Sequence, residues 1–496
     1  MGIVQRQSIM GSLATYAGLA IGYLNIIILY PAFLSPEQMG LTRLLIAVGI
    51  ILSQFSLLGT PYALIRYFPY FRNAEAAHHG LLRYMLMLTL LGFGLVGVMV
   101  LIARPWIEQY YADGAPLFNQ YFYWIFPMAF FMALGELFFN HFRSLLRTAA
   151  ALFIREILLR LLQTAALGLW MNRWVDFSGF VAAFAASYII TALLLATLLI
   201  RLNEFFYLSR VPLGPQVSQL QIFRFSLLMF ASGAAATIVA FIDTVMLGAL
   251  RNLHDTAVYS VAFALGTLIH VPARTMNMVA VALVAEAWRR NDLRVIGKLY
   301  HQTALNQFIV GSGLFLLIWL SVDVLLWFLP EAYAAGRWVI FIVAVGRLLD
   351  MSSGSNGEIL AASKHARFNL FTNLLLIAVA IGSNYLLIPR WGIHGAAWAT
   401  VVSMVTYNAV RMAFLFANYK LHPFSWHLAA AWLVLLLNLA LAFLLPDWEN
   451  VFVTAAYKIF VVGTCFCIMV LKFRLSPEIN QMVHDTIQRF SHRQSP

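Results

Sequence analysis

The stretch LIHVPARTMNMVAVAL, residues 268–283, decides how the chain is read. It is apolar enough to lie in a bilayer, yet Arg274 stands near its middle, with His270 one turn before it and Asn277 one turn after. A charge at the centre of a membrane helix costs about 2.5–3.5 kcal/mol to insert on the milder experimental scale, so it needs a physical reason to be there. The rest of the chain settles whether lipid is the right solvent to assume.

The 496 residues are 62% hydrophobic and 10% charged, with a mean hydropathy of +0.81. No soluble fold of this length needs so much apolar surface, so composition indicates a polytopic membrane protein. Apolar runs long enough to cross a hydrocarbon core of ~30 Å recur from end to end. Hydropathy gives about fourteen of them, at 8–33, 41–68, 80–103, 119–146, 149–171, 177–202, 222–250, 256–285, 296–329, 334–362, 368–389, 393–419, 426–445 and 451–471. In lipid each is expected to be a helix, because only a helix satisfies its own backbone polar groups locally. The expected fold is all-α.

Orientation follows from the basic residues. With the N-terminus inside, the inner segments hold about 22 Lys and Arg and the outer ones about 7, a strong positive-inside bias. Both termini are therefore expected in the cytoplasm, and the net charge of +12 reads as topology and anionic-lipid contact, with no nucleic-acid partner. The first apolar run is too long for a cleavable signal. Cys465 and Cys467 fall on different sides of the last span, which argues against a disulfide or metal site. Trp106, Tyr110, Tyr111, Trp174, Trp391 and Trp448 cluster at outer ends as an interfacial belt does.

A polar connector containing VPLGP separates two halves that begin alike. ILYPAFLSPEQMGLTRLLIAVG, ending at Gly49, falls in step with VMLGALRNLHDTAVYSVAFALG, ending at Gly266. The expected organisation is an N-lobe of six spans (1–203), a cytoplasmic connector (204–221), a C-lobe of six spans (222–420), two accessory spans (421–472) and a cytoplasmic amphipathic tail (473–496). In that tail, Ile479, Met482, Val483, Ile487 and Phe490 form one stripe after Ser476. Duplicated bundles are a common transporter plan.

FLSPEQMGL after the first span, FIDTVMLGAL followed by TAVYSVAFALG, and NYLLIPRWGIHGAAWAT resemble signatures of polysaccharide transporters. These belong to the multidrug/oligosaccharidyl-lipid/polysaccharide exporter superfamily. In the last motif, Gly392, Gly395, Ala396 and Ala397 let two helices approach closely. The resemblance implies two six-helix lobes around a central cavity lined by spans one, two, seven and eight. It also implies transfer of a lipid-linked oligosaccharide from the inner to the outer leaflet.

The intramembrane charges can then be sorted, since pairing is the ordinary fate of such groups. Glu156 and Arg160 are spaced i, i+4 and can bridge each other, with Glu136 of span four at similar depth, so a structural ion-pair cluster is expected. Arg347 and Asp350, at i, i+3, are expected to pair as well. Arg274 has no acid nearby on its own helix until Glu286, about three turns on. His270, Arg274 and Asn277 share one face, and Pro272 loosens the backbone beside them. That face suits a wet cavity receiving an anion; pairing with an acid on another helix is the alternative. If the family geometry holds, Arg66, Gln54 and Asn25 join Arg274, His270 and Asn277 around a polar lipid headgroup. Arg66 is equally read as a snorkelling arginine. Arg43 and Asp243, both within about three turns of the outer surface, are candidates for an outer gate, against local bonding of Asp243.

The leading expectation is a flippase for a lipid-linked oligosaccharide: an O-antigen (lipopolysaccharide), capsule or exopolysaccharide repeat unit on a polyprenyl phosphate carrier. Arginine offers a forked donor to the phosphate, and the tail is expected in a groove near spans thirteen and fourteen. A drug/cation antiporter of the same superfamily is disfavoured because the first acid, Glu37, follows the first span. A glycan polymerase or ligase needs an outer catalytic surface, and the outer connector 104–118 holds only Glu108 and Asp113. A lipid II flippase would carry arginines in the first span, and 8–33 has none. No catalytic residues, cofactor or metal are expected. The expected setting is the bacterial inner membrane, with a monomer meeting membrane lipids, the polyprenyl-linked oligosaccharide, and a glycan polymerase or glycosyltransferases.

Overall fold

The computed structural model describes residues 3–73, 77–205, 217–482 and 485. The VPLGP turn, and Val483, Ile487 and Phe490 of the tail stripe, lie outside the described residues. Among those described, the chain is helical with no strand. The principal helices are α1 (Ile3–Tyr23), α2 (Pro36–Leu57), α3 (Thr60–Phe71), α4 (Leu81–Tyr111), α5 (Ile125–Ser144), α6 (Leu159–Met171), α7 (Phe177–Arg201) and α8 (Gln219–Leu250). They continue with α9 (Leu253–Thr267), α10 (Val271–Arg289), α11 (Leu293–Leu320), α12 (Arg337–Ser352), α13 (Asn356–Ala362), α14 (Ala366–Tyr419), α15 (Trp426–Leu444) and α16 (Val451–Lys472).

Among the described residues, 12 helices are long and apolar enough to cross a membrane, against the fourteen expected. Two places account for the difference. Residues 148–171 divide into Thr148–Leu152, a π-helical turn Phe153–Leu158 and α6, and they carry Arg155, Glu156 and Arg160. α14 is one run of 54 residues where two spans were expected, broken at Gly392 with φ 55° and ψ −130°. At 1.5 Å per residue that run is about 80 Å of helix, more than twice a hydrocarbon core of ~30 Å. The glycine-rich motif makes the break: Gly392 adopts a φ that other residues avoid, and a Cβ on Gly395 would strike the Leu387 carbonyl.

Packing divides the chain into two compact units, Met1–Ser260 and Val261–Pro496. In the first, the SPEQ motif is a capping box. Ser35 Oγ accepts from the Gln38 N–H at 3.3 Å while Gln38 Oε1 accepts from the Ser35 N–H at 3.0 Å, satisfying donors that a helix start leaves open. Ser218 and Gln221 repeat the device at α8. Leu58 and Gly59, both at positive φ, end α2 and start α3. Side chains at Gly40 and Gly59 would collide with the carbonyls of Leu253 and Ser226, so small residues set how closely α2 approaches the start of α9 and how closely the turn between α2 and α3 approaches α8. Phe68, Met85, Leu137, Phe142, Leu195 and Ile222 form the core of this unit.

In the second unit, Ile269, Phe308, Phe315, Leu348, Leu435 and Phe466 form the main core. α15 and α16 pack on each other and on α11. The tail docks on α11, where Ser476 Oγ donates to Asn306 Oδ1 at 2.6 Å. Burial pushes the Glu478 carboxyl up, but its backbone N–H and hydrogen bonds from Ser476 and Gln302 outweigh that and hold it below the usual range.

The outer surface is that of a membrane protein. Leu91, Leu95, Val98, Met99 and Ile102 stand exposed along α4, a continuous apolar face that suits acyl chains. Trp106, Tyr110, Trp174, Trp391 and Trp448 are exposed, as a belt requires. Tyr111 departs from that expectation: it is buried and donates to the Val245 carbonyl at 3.1 Å, a helix-packing contact.

Candidate functional site

The first unit gathers its charges. Arg160 Nη1 meets Glu156 Oε2 at 2.9 Å, the i, i+4 pair that spacing predicts. Glu136 joins through Arg155, whose Nη1 lies 2.9 Å from Glu136 Oε2 and whose Nε lies 3.6 Å from Glu156 Oε1. Asn140 Nδ2 donates to Glu136 Oε1 at 2.7 Å, and Arg143 donates to Asn140 Oδ1 at 3.1 Å. The signal was available, since Glu136, Asn140 and Arg143 recur at helical spacing within an apolar span.

Asn25, expected beside a headgroup, is 2% exposed. It donates to the Arg160 carbonyl at 3.2 Å and accepts from Thr164 at 2.9 Å, tying α1 to α6 from the π-helical turn Leu24–Leu29. A π turn frees backbone partners for such contacts. Gln54 lies partly buried with its amide against Gly233 of α8. Arg66 is exposed, its guanidinium 4.2 Å from the Phe225 ring centroid, a cation–π contact that leaves its edges open. Of the gate candidates, Asp243 accepts from the Tyr259 hydroxyl at 2.8 Å and Arg43 lies over the Tyr30 ring at 5.1 Å.

The second unit treats its stripe differently. His270 Nε2 stands 3.4 Å from Asp350 Oδ2. Asn277 Oδ1 accepts from Gln307 at 2.6 Å and Ser355 at 2.9 Å. Both ends of the stripe are thus taken up by α11, α12 and the break after α12. Leu268–His270 is a 3₁₀ turn, whose three residues per turn rotate His270 relative to the α-helix that follows. Arg274, between them, is exposed and has no hydrogen bond or ion pair among the described residues. Asp350 also accepts from Asn408 Nδ2 at 2.8 Å, and Arg347 lies 5.8 Å from the Phe263 ring centroid.

Sequence reading missed the rest of this network. Asn356 donates to Asn408 and Ser353 where SSGSNGE interrupts the helix, and Gly354 takes φ 60° there. Arg411, 6% exposed, sits 3.7 Å from the Tyr407 ring centroid and donates to Thr372 at 3.3 Å. In the first unit, His78 Nε2 stands 2.8 Å from Glu204 Oε2. Separately, an apolar cavity of about 450 Å³ opens between α11 and α16, lined by Ile309, Gly313, Leu317, Gly463, Phe466 and Met482.

An all-α chain with this many long apolar helices has the architecture of a multi-pass membrane protein. The chain belongs to the family described as polysaccharide biosynthesis protein, whose model matches residues 4–288, more than half of the sequence. Its fold is similar to that of the lipid II flippase MurJ in an inward closed conformation, at a TM-score of 0.74 and 12% identity over 94% of this chain and 100% of that one. It is also similar to a multidrug resistance MATE family transporter of the MOP superfamily in an inward-facing conformation, at a TM-score of 0.64 and 15% identity over 84% and 95% of the two chains. At those identities the likeness is one of fold. No curated protein sequence matches the chain.

Proposed function

We propose that the chain is a flippase that carries a lipid-linked oligosaccharide across the bacterial inner membrane by alternating access. The substrate class is an O-antigen, capsule or exopolysaccharide repeat unit on a polyprenyl phosphate carrier. One observation carries the choice: Arg274, on a membrane helix, is exposed and free of any acid among the described residues. A guanidinium facing acyl chains carries an insertion cost, which an aqueous surface and a passing phosphate offset. Its planar fork matches phosphate oxygens. His270 and Asn277 act as positioning residues, bracing the helix on either side of Arg274. The apolar cavity between α11 and α16 suits a prenyl chain in chemistry and volume.

The absence of arginine from residues 8–33 supports a glycan repeat unit over lipid II, and the cationic residues argue against cationic drugs. Proteoliposomes containing the purified chain should exchange a labelled polyprenyl-diphosphate oligosaccharide between leaflets faster than empty liposomes. Exchange at the empty-liposome rate, with expulsion of a labelled cationic drug instead, would replace this reading with the antiporter.

A further inference from the structure

The acids Glu136 and Glu156 of the first unit are paired with Arg155 and Arg160, yet the cluster is not sealed off. Glu136 and Arg155 keep 34% and 38% of their side-chain surface exposed, and Arg143 is exposed too. Glu136 stands roughly 12 Å along α5 from its last residue. Charges open to acyl chains at that depth are strongly disfavoured, so the exposed surface of this group is accounted for by water.

The chemistry on offer is specific. A carboxylate only accepts hydrogen bonds and a guanidinium only donates them. Paired side by side, they present acceptor and donor in fixed order. A sugar hydroxyl does both and can bridge them. A phosphate, anionic and acceptor-only, meets repulsion from Glu136. Asn140, 2% exposed, holds the arrangement by donating to Glu136 and accepting from Arg143. The Phe139 ring lies 4.5 Å beneath the Arg155 guanidinium, and Arg155 sits on the π turn Phe153–Leu158, a distortion frequent at functional sites. Arg143 makes one side-chain hydrogen bond among the described residues, which leaves most of its five donors available. Tyr62, half exposed, stands within electrostatic reach of Glu136 and Arg143.

We infer that Glu136, Arg155 and Arg143 form a glycan-recognition ledge that binds the hydroxyl-rich sugar portion of the substrate, with Asn140 as its positioning residue. The identity of the ligand rests on the flippase reading; the ledge itself rests on the geometry.

The test titrates the full chain in nanodiscs with two probes, a polyprenyl diphosphate bearing an oligosaccharide and the same carrier without sugar. Wild type binds the glycosylated probe more tightly. Glu136→Gln and Arg143→Gln each weaken that probe about tenfold, as loss of a charge-assisted hydrogen bond does, and leave the bare carrier within about twofold. Arg143→Gln guards against misfolding, because its side chain is exposed and holds a single bond. Equal loss on both probes, or no loss on either, overturns the ledge. Equal wild-type affinity for the two probes also overturns it and leaves the flippase reading standing. Wild type that binds neither probe removes both.

Discussion

Arg160 in the first unit and Arg274 in the second are both arginines on intramembrane helices, and they are held in opposite ways. Arg160 pairs with Glu156 at 2.9 Å and packs against Gly22, where a Cβ would meet its Nε at 2.7 Å. Arg274 is exposed and has no such acid among the described residues. The difference is written in spacing: an acid four residues before Arg160 supplies a local partner, and nothing comparable flanks Arg274. A paired arginine serves the fold, and an unpaired one is available to a ligand.

Removing Arg160 should therefore show up as lost stability. Arg160→Met leaves the partly buried Glu156 with only its longer contact to Arg155, at an expected cost of about 1–3 kcal/mol, read as a lower Tm in detergent. The double variant Glu156→Met/Arg160→Met should recover most of that loss, since apolar replacement of an internal pair is often tolerated. An unchanged Tm for Arg160→Met would erase the contrast between the two arginines.

A smaller effect is expected in the second unit's network. Asn408, 5% exposed, joins Asn356 to Asp350. Asn408→Leu should cost about 1–2 kcal/mol of stability while leaving affinity for polyprenyl diphosphate within about twofold. A large loss of affinity at constant Tm would instead place this network in the binding machinery. Smallest of the three, Tyr259→Phe removes the donor to Asp243 and should cost about 0.5–1.5 kcal/mol. The outer-gate idea has its own check beside it. Exchanging Arg43 and Asp243 should restore transport that either single neutralisation loses, and failure of the exchange in a protein that inserts normally would leave Asp243 a purely local partner of Tyr259.

The all-α membrane class was legible because lipid leaves the chain little choice: sustained apolar runs must become helices. Local devices were legible too, including the Glu156–Arg160 pair and the break built into IPRWGIHGAA. The expected spans at 149–171, 368–389 and 393–419 are all helical, but the first carries Arg155, Glu156 and Arg160 and the other two run on through the kink at Gly392, so 12 rather than fourteen separate long apolar helices stand out among the described residues. Residue roles were legible only where they were local. Asn25, Asn277 and Asp350 looked like cavity or pairing residues along their own helices, but their partners, Thr164, Ser355 and Asn408, lie far along the chain. Periodicity says which face a side chain is on and is silent about which helix meets that face. Arg155 went unnoticed for the same reason: its acid, Glu136, belongs to a different helix.

The most direct test is the affinity of the purified chain for sugar-free polyprenyl diphosphate, measured for wild type, Arg274→Lys and Arg274→Gln alongside Tm. The account predicts that Arg274→Gln weakens binding about 10- to 100-fold with Tm unchanged, and that Arg274→Lys, retaining a point charge, falls between the two. Binding by Arg274→Gln equal to wild type, or a drop in Tm matching that of Arg160→Met, would contradict it.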